Sequence, residues 1–494
     1  MEHPFKVEEI DQEAETAPVP TTTRPVQPAA APAPAPPPAS LPPLPTVPAS
    51  DALLLTPGQP HYDDYMPAAN LRTEQRPALR AVCKTAQGVT ALLDWIRTNN
   101  LPFALRSGGH SYEGFSQSTQ VVIDLRLMNT ITVDTVNQSV AVGAGASLMQ
   151  IYQALAADNL ALPGGSCPTV GISGHAMGGG YGFLARSHGM TCDNLTNISV
   201  VDAQSQLLQA NAKAQTDLFW ACRGGGGGSF GVATEFSFDV FRLDSVIVFG
   251  ISWVLSPSRA ASVFSAWQAW APGAPASITS IMKLGPNGNG AISMRCIGQS
   301  VGSQAELMHE LGPLAAVQQP SSPLKTQSLS FLDAVNHFSG GTDYESTYFK
   351  AKSDYVLAPL SASAISAMLA NLATIQAGYI VLLCDAYGGR IADVNAADTA
   401  FPHRAGTSYC IQYFASWANA SDTQQHLAVV SQAYQAMRPF MPGVSYVNYC
   451  DLDLPNWPNA YWGSNLPRLS ATKLAVDPAN LFRHAQSVPL PSSA

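Results

Sequence analysis

Charged side chains are scarce in this sequence. They make up 12% of the 494 residues, about half of the ~25% typical of soluble domains, which indicates a large buried surface. The formal net charge is −9, and an acidic protein is a poor partner for nucleic acid or an anionic membrane. No apolar run reaches the roughly 18 residues that span a bilayer. We therefore expect no membrane span and no nucleic-acid partner.

Several catalytic and metal-binding motifs are also missing. The sequence contains no C-x-x-C and no H-E-x-x-H, so no metal site is predicted. It has neither the glycine-lysine loop of nucleoside-triphosphate enzymes nor the G-x-S-x-G turn of serine hydrolases. Residues 226–231 match G-x-G-x-x-G formally, but about 20 residues on stands apolar Ile251 rather than an acid for a ribose. Eight cysteines in so long a chain do not make a disulfide framework.

Residues 1–50 differ from the rest of the chain. They hold 14 prolines and a single aromatic residue, Phe5, so they cannot bury enough apolar surface to offset the entropy of ordering. We predict a disordered Pro/Ala-rich tail over 1–50, with 28–48 extended, polyproline-like and exposed. Its role is either that of a solvated extension or that of a docking tail. The first charged residues are mostly acidic and no basic-then-apolar leader is visible, so we expect a cytoplasmic protein.

The pattern of apolar residues divides the remaining chain into three parts. Up to about residue 242, short strands and helices alternate with glycine at nearly every junction. Longer helical and strand patterns alternate over 243–444, and glycine, asparagine, proline and aromatic residues return over 445–494. These patterns predict an α+β protein with a first domain over 51–242, an inserted α+β domain over 243–444, and a C-terminal segment that returns to the first domain.

Four glycine-rich loops occur within 130 residues. They are RSGGHS at 106–111, GGSCP at 164–168, GISGHAMGGGYG at 171–182 and RGGGGGSFG at 223–231. Successive glycines let backbone N–H groups converge on an anion and let a flat ligand approach the chain closely. The alternative is a set of tight turns in a strand-rich domain. The loops favour one large phosphate-containing ligand, and a flavin dinucleotide held outside a Rossmann unit fits best.

Four motifs resemble the berberine-bridge-enzyme-like branch of the FAD-linked oxidases, which have the PCMH-type flavin fold of vanillyl-alcohol oxidase. The motifs are RSGGHSYEG at 106–114, GGSCPTVGISGHAMGGGYG at 164–182, AYGGRIADVNAADTAFPHR at 386–404, and YVNYCDLDLPN, YWGSNLPRL and DPANLF within 446–482. The resemblance covers about residues 60–490. It implies two domains: a PCMH-type FAD-binding domain over 51–242 and a substrate domain over 243–444 built from an antiparallel sheet covered by helices. The segment 445–494 matches the family's C-terminal signature.

The resemblance also implies how the flavin is held. Family members attach FAD bicovalently, through the positions matched here by His110 at the 8α carbon and by Cys167 at C6. Two such bonds withdraw electron density from the ring and favour hydride acceptance. His175 would stabilise charge near the ribityl chain, or else it is a core histidine bonded to a carbonyl. The other cofactor-binding positions expected are Arg106, Ser107, Gly108, Gly109, Ser111, Gly164, Gly165, Val170, Gly171, Gly174, Gly178, Gly179, Gly180, Gly182, Gly228, Gly231, Val232 and Asn448.

Four further residues match family positions on the substrate side. Tyr449 matches the base that takes the hydroxyl proton, and Asp385 matches a carboxylate that sugar-oxidising relatives keep beside it. Gln412 and Tyr112 match other pocket positions. Alternation along the strand puts apolar Val381 and Leu383 on the face of Asp385, which disfavours a long sugar as substrate. The alternatives are a solvated acid for Asp385 and a core tyrosine for Tyr449.

The resemblance implies an FAD-dependent oxidase that removes two electrons from an alcohol, sugar or secondary metabolite and reduces oxygen to hydrogen peroxide. Val170 matches a position where a small residue accompanies oxidases and leucine accompanies dehydrogenases. The alternatives are a flavin-dependent oxidative cyclase or dehydrogenase, and a flavin-fold protein that binds without turnover. We expect a small-molecule substrate and oxygen as partners, and a monomer or homodimer.

Overall fold

The computed structural model describes residues 41–339 and 346–491. Residues 1–40, and with them most of the predicted polyproline stretch, lie outside the described residues. Residues 41–50 have no regular helix or strand, but they are not free of contacts: Leu41 and Val47 pack against the first core cluster, and the Trp95 indole donates to the Pro43 carbonyl at 2.9 Å. Residues 41–50 thus combine exposed positions with packing contacts of Leu41 and Val47, which depart from the extended, exposed stretch expected over 28–48.

Residues 51–242 form three small sheets around the first core cluster. The first sheet has four strands in the order β1-β2-β4-β3, with β1 antiparallel to β2 and β4 parallel to both of its neighbours. The second sheet is antiparallel and has five strands in the order β5-β6-β10-β8-β9. In the third sheet β7 pairs with β11. The strands are β1 Ala52–Leu55, β2 Leu79–Cys83, β3 Phe103–Arg106, β4 Val121–Asp124, β5 Ile131–Asp134, β6 Ser139–Gly143, β7 Leu160–Ala161, β8 Leu195–Val201, β9 Leu207–Asn211, β10 Val232–Asp239 and β11 Phe241–Arg242. The helices are α1 Ala86–Thr98, α2 Leu148–Ala156, α3 Ile172–Met177, α4 Ala185–His188 and α5 Thr216–Ala221.

Side chains at the helix starts explain where two of these helices begin. Thr85 accepts the Gly88 N–H at the start of α1, and Ser147 and Gln150 form a reciprocal capping box at the start of α2. The apolar faces of both helices, including Leu92, Leu93 and Ile151, pack into the first core cluster.

Residues 243–444 are dominated by one seven-stranded antiparallel sheet with the order β15-β12-β14-β13-β17-β18-β16. The strands are β12 Val246–Leu255, β13 Ile278–Pro286, β14 Ile292–Ser300, β15 Ser322–Leu329, β16 Tyr348–Val356, β17 Val381–Ala386 and β18 Tyr409–Trp417. The helices are α6 Pro257–Trp270, α7 Gln304–Ala316, α8 Phe331–Ser339, α9 Ala362–Leu372, α10 Arg390–Asp393 and α11 Thr423–Met437. Helices α6, α7, α9 and α11 bury one face of the sheet in a second core cluster. The predicted α+β architecture, with an antiparallel sheet covered by helices, is confirmed.

After residue 444 the chain lies against the glycine loops of the first sheets. The helices α12 Trp457–Trp462 and α13 Leu466–Val476 belong to this segment. The Trp462 indole donates to the Gly224 carbonyl at 3.3 Å, and buried Lys473 donates to the Ser229 carbonyl at 2.7 Å. None of the described helices is both long and apolar enough to cross a membrane.

Candidate active site

A cavity of about 610 Å³ runs from the glycine loops to the face of the seven-stranded sheet opposite the second core cluster. Its walls come from β3 and the loop after it, from the loops around Gly165 and Gly227, from strands β13, β17 and β18, and from the C-terminal segment. Sequence reasoning named 25 site residues, and 21 of them line this one cavity. Arg106 and Tyr449, which are 343 positions apart in the sequence, are thus brought to a common surface.

The two loops that carry His110 and Cys167 pack directly against each other. The His110 Nε2 lies 2.8 Å from the Thr169 hydroxyl oxygen. A Cβ atom on Gly108 would lie 2.3 Å from the Gly171 nitrogen, so only glycine permits this approach. Both His110 and Cys167 are half-buried and line the cavity.

Burial keeps both of these side chains uncharged. It lowers the pKa of His110 to about 3, with a smaller contribution from the Arg106 charge, and it raises the pKa of Cys167 to about 11. At neutral pH the site therefore holds a neutral imidazole, which carries a lone pair on one ring nitrogen, and a protonated thiol. The other seven cysteines are buried free thiols, as predicted.

The Arg106 side chain does not reach toward a phosphate. Its guanidinium is almost fully buried, donates to the Met66 and Pro67 carbonyls, and lies 3.8 Å from Asp124. It supports the loop from beneath, where a Cβ on Gly109 would touch it at 2.7 Å. Arg106 lines the cavity, but carbonyls and a carboxylate hold its guanidinium, so it would contribute to cofactor binding by supporting the loop over 106–111.

Four predicted glycines lie outside the cavity wall: Gly164, Gly178, Gly179 and Gly180. They permit close packing instead. A Cβ on Gly178 would lie 1.9 Å from the Asn448 Oδ1, and one on Gly180 would lie 2.4 Å from the Thr191 hydroxyl. Gly178 in particular lets the C-terminal segment approach the end of α3, where Asn448 donates to the His175 carbonyl at 3.0 Å.

His175 faces the cavity as a neutral acceptor. Its Nε2 accepts the Gly165 N–H at 3.2 Å, and burial lowers its pKa to about 4. The partner of the His175 ring is therefore a backbone N–H and not the carbonyl that the alternative of a core histidine required.

Tyr449 and Asp385 form the hydrogen bond that the sequence predicted. The Tyr449 hydroxyl donates to the Asp385 Oδ2 at 3.1 Å, and Asp385 is 4% exposed. Burial raises the pKa of Asp385 to about 7, opposed by the Tyr449 hydrogen bond and the Lys283 charge. Burial and the Asp385 charge hold the pKa of Tyr449 well above its ordinary value. The solvated-acid alternative for Asp385 is excluded.

Tyr112 and Gln412 complete this wall. The rings of Tyr112 and Tyr449 stack with centroids 5.8 Å apart and planes at 13°, and the Gln412 amide donates to the Tyr112 hydroxyl at 2.9 Å. Of the two predicted pocket residues, Tyr112 therefore contacts Tyr449 directly, and Gln412 is linked to Tyr449 through Tyr112.

Apolar side chains surround these polar groups. Tyr112, Val381 and Leu383 pack against a small cluster that contains Phe349 and Phe414. Val381 and Leu383 lie on the same face of β17, as predicted, and of the two only Leu383 lines the cavity.

Sequence reasoning missed several cavity residues. Lys283 reaches the cavity because β13 pairs with β17, which places Ile281 opposite Asp385 and Lys283 opposite Leu383. His484 stacks on Phe115 with centroids 4.3 Å apart and contacts the Gly227 carbonyl at 3.2 Å. In the sequence, only the position of His484 just after the DPANLF motif indicates that it belongs to the site. Lys283 has no such indication, because strand pairing brings it to the cavity and no local sequence pattern predicts that pairing.

Comparisons with known proteins agree with this arrangement. Residues 77–211 match the family model described as FAD binding domain, and residues 445–489 match the one described as Berberine and berberine like. The chain is 32% identical over 441 residues to the uncharacterized FAD-linked oxidoreductase YgaK of Bacillus subtilis (strain 168), covering 88% of this chain and 96% of that protein. It is 31% identical to berberine bridge enzyme-like 25 of Arabidopsis thaliana, covering 78% of this chain and 79% of the relative.

The chain belongs to the berberine-bridge-enzyme-like family of FAD-linked oxidoreductases. Solved structures support the same assignment. BBE-like 1 of Physcomitrella patens superposes with a TM-score of 0.84 at 30% identity, over 90% of this chain and 98% of that one. A chitooligosaccharide oxidase superposes with a TM-score of 0.82 at 27% identity, over 89% and 98%. The two-domain PCMH-type fold expected from the motifs is confirmed.

The residues present fit the FAD that this berberine-bridge-enzyme-like chain binds. Gly174 lines the cavity, and a Cβ there would meet no atom of the described residues within 4 Å, so its bare backbone faces open space. Gln117 also lines the cavity, and within the described ranges neither its amide nitrogen nor its oxygen has a hydrogen-bond partner. A bare glycine surface and unpaired buried polar atoms are what a large polar ligand requires.

Proposed function

We propose that this protein is an FAD-dependent oxidase that removes two electrons from a small alcohol and passes them to oxygen, forming hydrogen peroxide. The observation that carries the proposal is the Tyr449–Asp385 hydrogen bond, which is buried in the wall of the cavity that His110 and Cys167 also line. Alcohol oxidation requires a group that accepts the hydroxyl proton inside a water-poor site. The bound FAD supplies the acceptor for the hydride.

The pKa values favour a proton relay over a preformed tyrosinate. The Tyr449 pKa is raised, so the phenol stays protonated at neutral pH, and its proton already points at the Asp385 Oδ2. When the Tyr449 oxygen accepts the substrate proton, its own proton passes to Asp385. Because burial raises the Asp385 pKa to about 7, this carboxylate is a sufficiently strong base to receive it.

We propose further that the FAD is attached to both His110 and Cys167. Three observations support this: the two loops pack in contact, both side chains line the cavity, and burial keeps His110 neutral at physiological pH. A neutral imidazole is nucleophilic, whereas an imidazolium is not. Cys167 must lose its proton as its bond forms, since burial holds it as a thiol. Each of the two bonds would replace a C–H bond of the flavin and would leave the flavin reduced by two electrons, which oxygen, the acceptor proposed above, would take up.

The cavity wall favours a compact substrate with an apolar or aromatic body. Relatives include proteins named reticuline oxidase, of Papaver somniferum, and chitooligosaccharide oxidase. In this chain Leu383, Phe349 and Phe414 line the same cavity as Asp385 and offer no hydrogen bonds to a long sugar. We therefore place aromatic alcohols and small secondary metabolites ahead of oligosaccharides.

A substrate panel tests the proposal. Purified holoenzyme is mixed anaerobically with benzyl alcohol, coniferyl alcohol, D-glucose, cellobiose, arbutin and reticuline, and flavin bleaching is followed near 450 nm. We expect bleaching by at least one alcohol and, in air, one hydrogen peroxide per substrate oxidised. Bleaching without peroxide would assign another electron acceptor, and no bleaching by any member would favour a protein that binds without turnover.

A further inference from the structure

A cluster of buried charges lies behind the stacked tyrosines, and the proposed proton relay does not use it. Lys350 in β16 is 4% exposed, and its ammonium group donates to Glu113 and to the Asp451 Oδ1, the latter at 2.6 Å. These contacts join three separate parts of the chain: the seven-stranded sheet, the loop that follows His110, and the C-terminal segment. Glu113 and Asp451 are themselves almost fully buried.

Each carboxylate of this cluster also has a second cation. Arg72 donates to the Glu113 Oε2 at 2.7 Å, and Lys352 donates to the Asp451 Oδ2 at 2.8 Å and to the Asp453 Oδ2 at 2.6 Å. The cluster therefore balances three cations against three carboxylates. Among the described ion pairs, Lys350 alone contacts both Glu113 and Asp451.

The two carboxylates belong to the segments that carry the pocket tyrosines. Glu113 directly follows Tyr112, and Asp451 stands two residues after Tyr449. The two rings stack on each other, and Tyr449 donates to Asp385 on β17 of the same sheet as Lys350. A single ammonium group thus links both tyrosine segments to the sheet that holds their partner.

We propose that Lys350 is a positioning residue: by bridging Glu113 and Asp451 it holds Tyr112 and Tyr449 in register and keeps the Tyr449 hydroxyl directed at Asp385. This inference rests on the proposed function, in which Tyr449 takes the substrate proton. Buried ion pairs add little to stability compared with apolar replacements. The Lys350 bridge instead fixes the position of the segment that carries Tyr112 relative to the segment that carries Tyr449.

The substitution Lys350→Met tests the bridge without leaving a carboxylate unpaired. Glu113 keeps Arg72 and Asp451 keeps Lys352, so we expect the variant to fold and to bind FAD. Hydrogen–deuterium exchange of the holoenzyme should become faster in peptides covering 110–115 and 447–453. A displacement of about 1 Å at reacting groups costs on the order of 10²-fold in rate, so anaerobic flavin reduction by the panel alcohol that best reduces the wild type should slow by that order.

Arg438→Met is the matched control. Arg438 pairs with buried Asp354 on the same strand, but neither side chain contacts Tyr112 or Tyr449 among the described hydrogen bonds and ion pairs. It should lower stability while leaving exchange in the two tyrosine segments and the reduction rate unchanged. Glu113→Gln, which removes the charge at one end of the bridge, should reproduce the Lys350→Met effects and serves if the latter does not fold.

The outcomes separate the bridge from the proposed function. Unchanged exchange in either tyrosine segment of Lys350→Met overturns the bridge. Faster exchange with a wild-type reduction rate overturns its positioning role. A wild-type rate in Tyr449→Phe refutes Tyr449 as the base, whereas slow reduction in Lys350→Met would still support positioning, through Tyr112.

Discussion

The Tyr449 hydroxyl donates to the Asp385 carboxylate 3.1 Å away, and among the described hydrogen bonds this carboxylate is the acceptor of its proton. Replacing Tyr449 by Phe keeps the ring and its stack on Tyr112 and removes only the oxygen. A positioned general base contributes about 10²–10⁴-fold, so anaerobic flavin reduction should slow by that factor while substrate binding weakens less. Stopped-flow absorbance measures both.

Tyr355→Phe is the control for this prediction. It removes a buried hydroxyl that contacts Tyr387 at 2.9 Å and does not line the cavity. Equal slowing in both variants would show a general packing defect in place of a lost base.

Asp385 predicts the pH dependence of the same step. Only the ionised carboxylate can accept the relayed proton, so flavin reduction should rise with pH through the Asp385 pKa of about 7. Asp385→Asn should be slow and should lack this inflection. An unchanged pH profile in Asp385→Asn would exclude the relay.

The Asp385 carboxylate also makes the stability of the folded protein depend on pH, in the direction opposite to that of the reduction rate. The folded pKa of about 7 lies above the ordinary value of 3.8, so between these values the folded state holds a proton that the unfolded state has lost. Stability of the wild type should therefore fall as pH rises from about 4 to 7. Asp385→Asn should lose that part of the decline, as measured by urea unfolding at a series of pH values.

Val170 bears on the reaction with oxygen. It is half-buried and lines the cavity three residues after Cys167. Val170→Leu adds bulk at this wall and should slow reoxidation by oxygen while leaving anaerobic reduction nearly unchanged. Equal effects on both half-reactions would indicate altered packing of the loop.

At this scale the motif positions predicted the site well, because a motif fixes the residue type at a named position. The direction of a side chain is less predictable. Arg106 stands in the most specific motif, yet its guanidinium turns inward to the Met66 and Pro67 carbonyls. Lys283 stood in a correctly predicted strand but had no recognisable role, because only the pairing of β13 with β17 brings it near Asp385.

At the scale of elements, close contact between two glycine loops shapes the cavity. A methyl group on Gly108 would lie 2.3 Å from the Gly171 nitrogen and 2.6 Å from the Thr169 carbonyl oxygen. Gly108→Ala must therefore push apart the loops of His110 and Cys167, at a cost of about 1–3 kcal/mol typical of overpacking. Flavin bound per polypeptide, from the ratio of absorbance at 450 and 280 nm, should drop markedly.

Gly312→Ala provides the comparison for this variant. A Cβ there meets no atom of the described residues within 4 Å, and the residue lies within α7. It should keep full flavin content and gain a little stability, since alanine favours a helix. Full flavin content in Gly108→Ala would contradict the role given to the loop contact.

Strand prediction succeeded where apolar residues dominate and failed where buried charges interrupt them. The apolar run at 246–255 predicts a strand with these bounds, and β12 spans Val246–Leu255. Strand β16 escaped prediction because Lys350, Lys352 and Asp354 break its pattern, although all three are buried and paired with residues distant in sequence. Edge strand β15 escaped for a different reason: its residues are half-buried or exposed, so the apolar signal is weak.

At the scale of the whole molecule, the cavity lies between the glycine loops, the C-terminal segment, and the face of the seven-stranded sheet that points away from the second core cluster. The four loops indicated a single large ligand from sequence alone. The cavity wall opposite these loops could not be predicted from the sequence. It is formed by strands of the seven-stranded sheet, and no local sequence pattern indicates their order, β14-β13-β17-β18.

The attachment of FAD to both loops tests the account most directly, because it requires the cavity, the loop contact and the two named side chains together. Holoenzyme is precipitated with acid, digested, and its peptides are analysed by mass spectrometry. The account predicts a yellow precipitate and flavin joined to the peptides that contain His110 and Cys167, with one bond remaining after His110→Ala or Cys167→Ala. Quantitative release of free FAD from the denatured wild-type protein would contradict it.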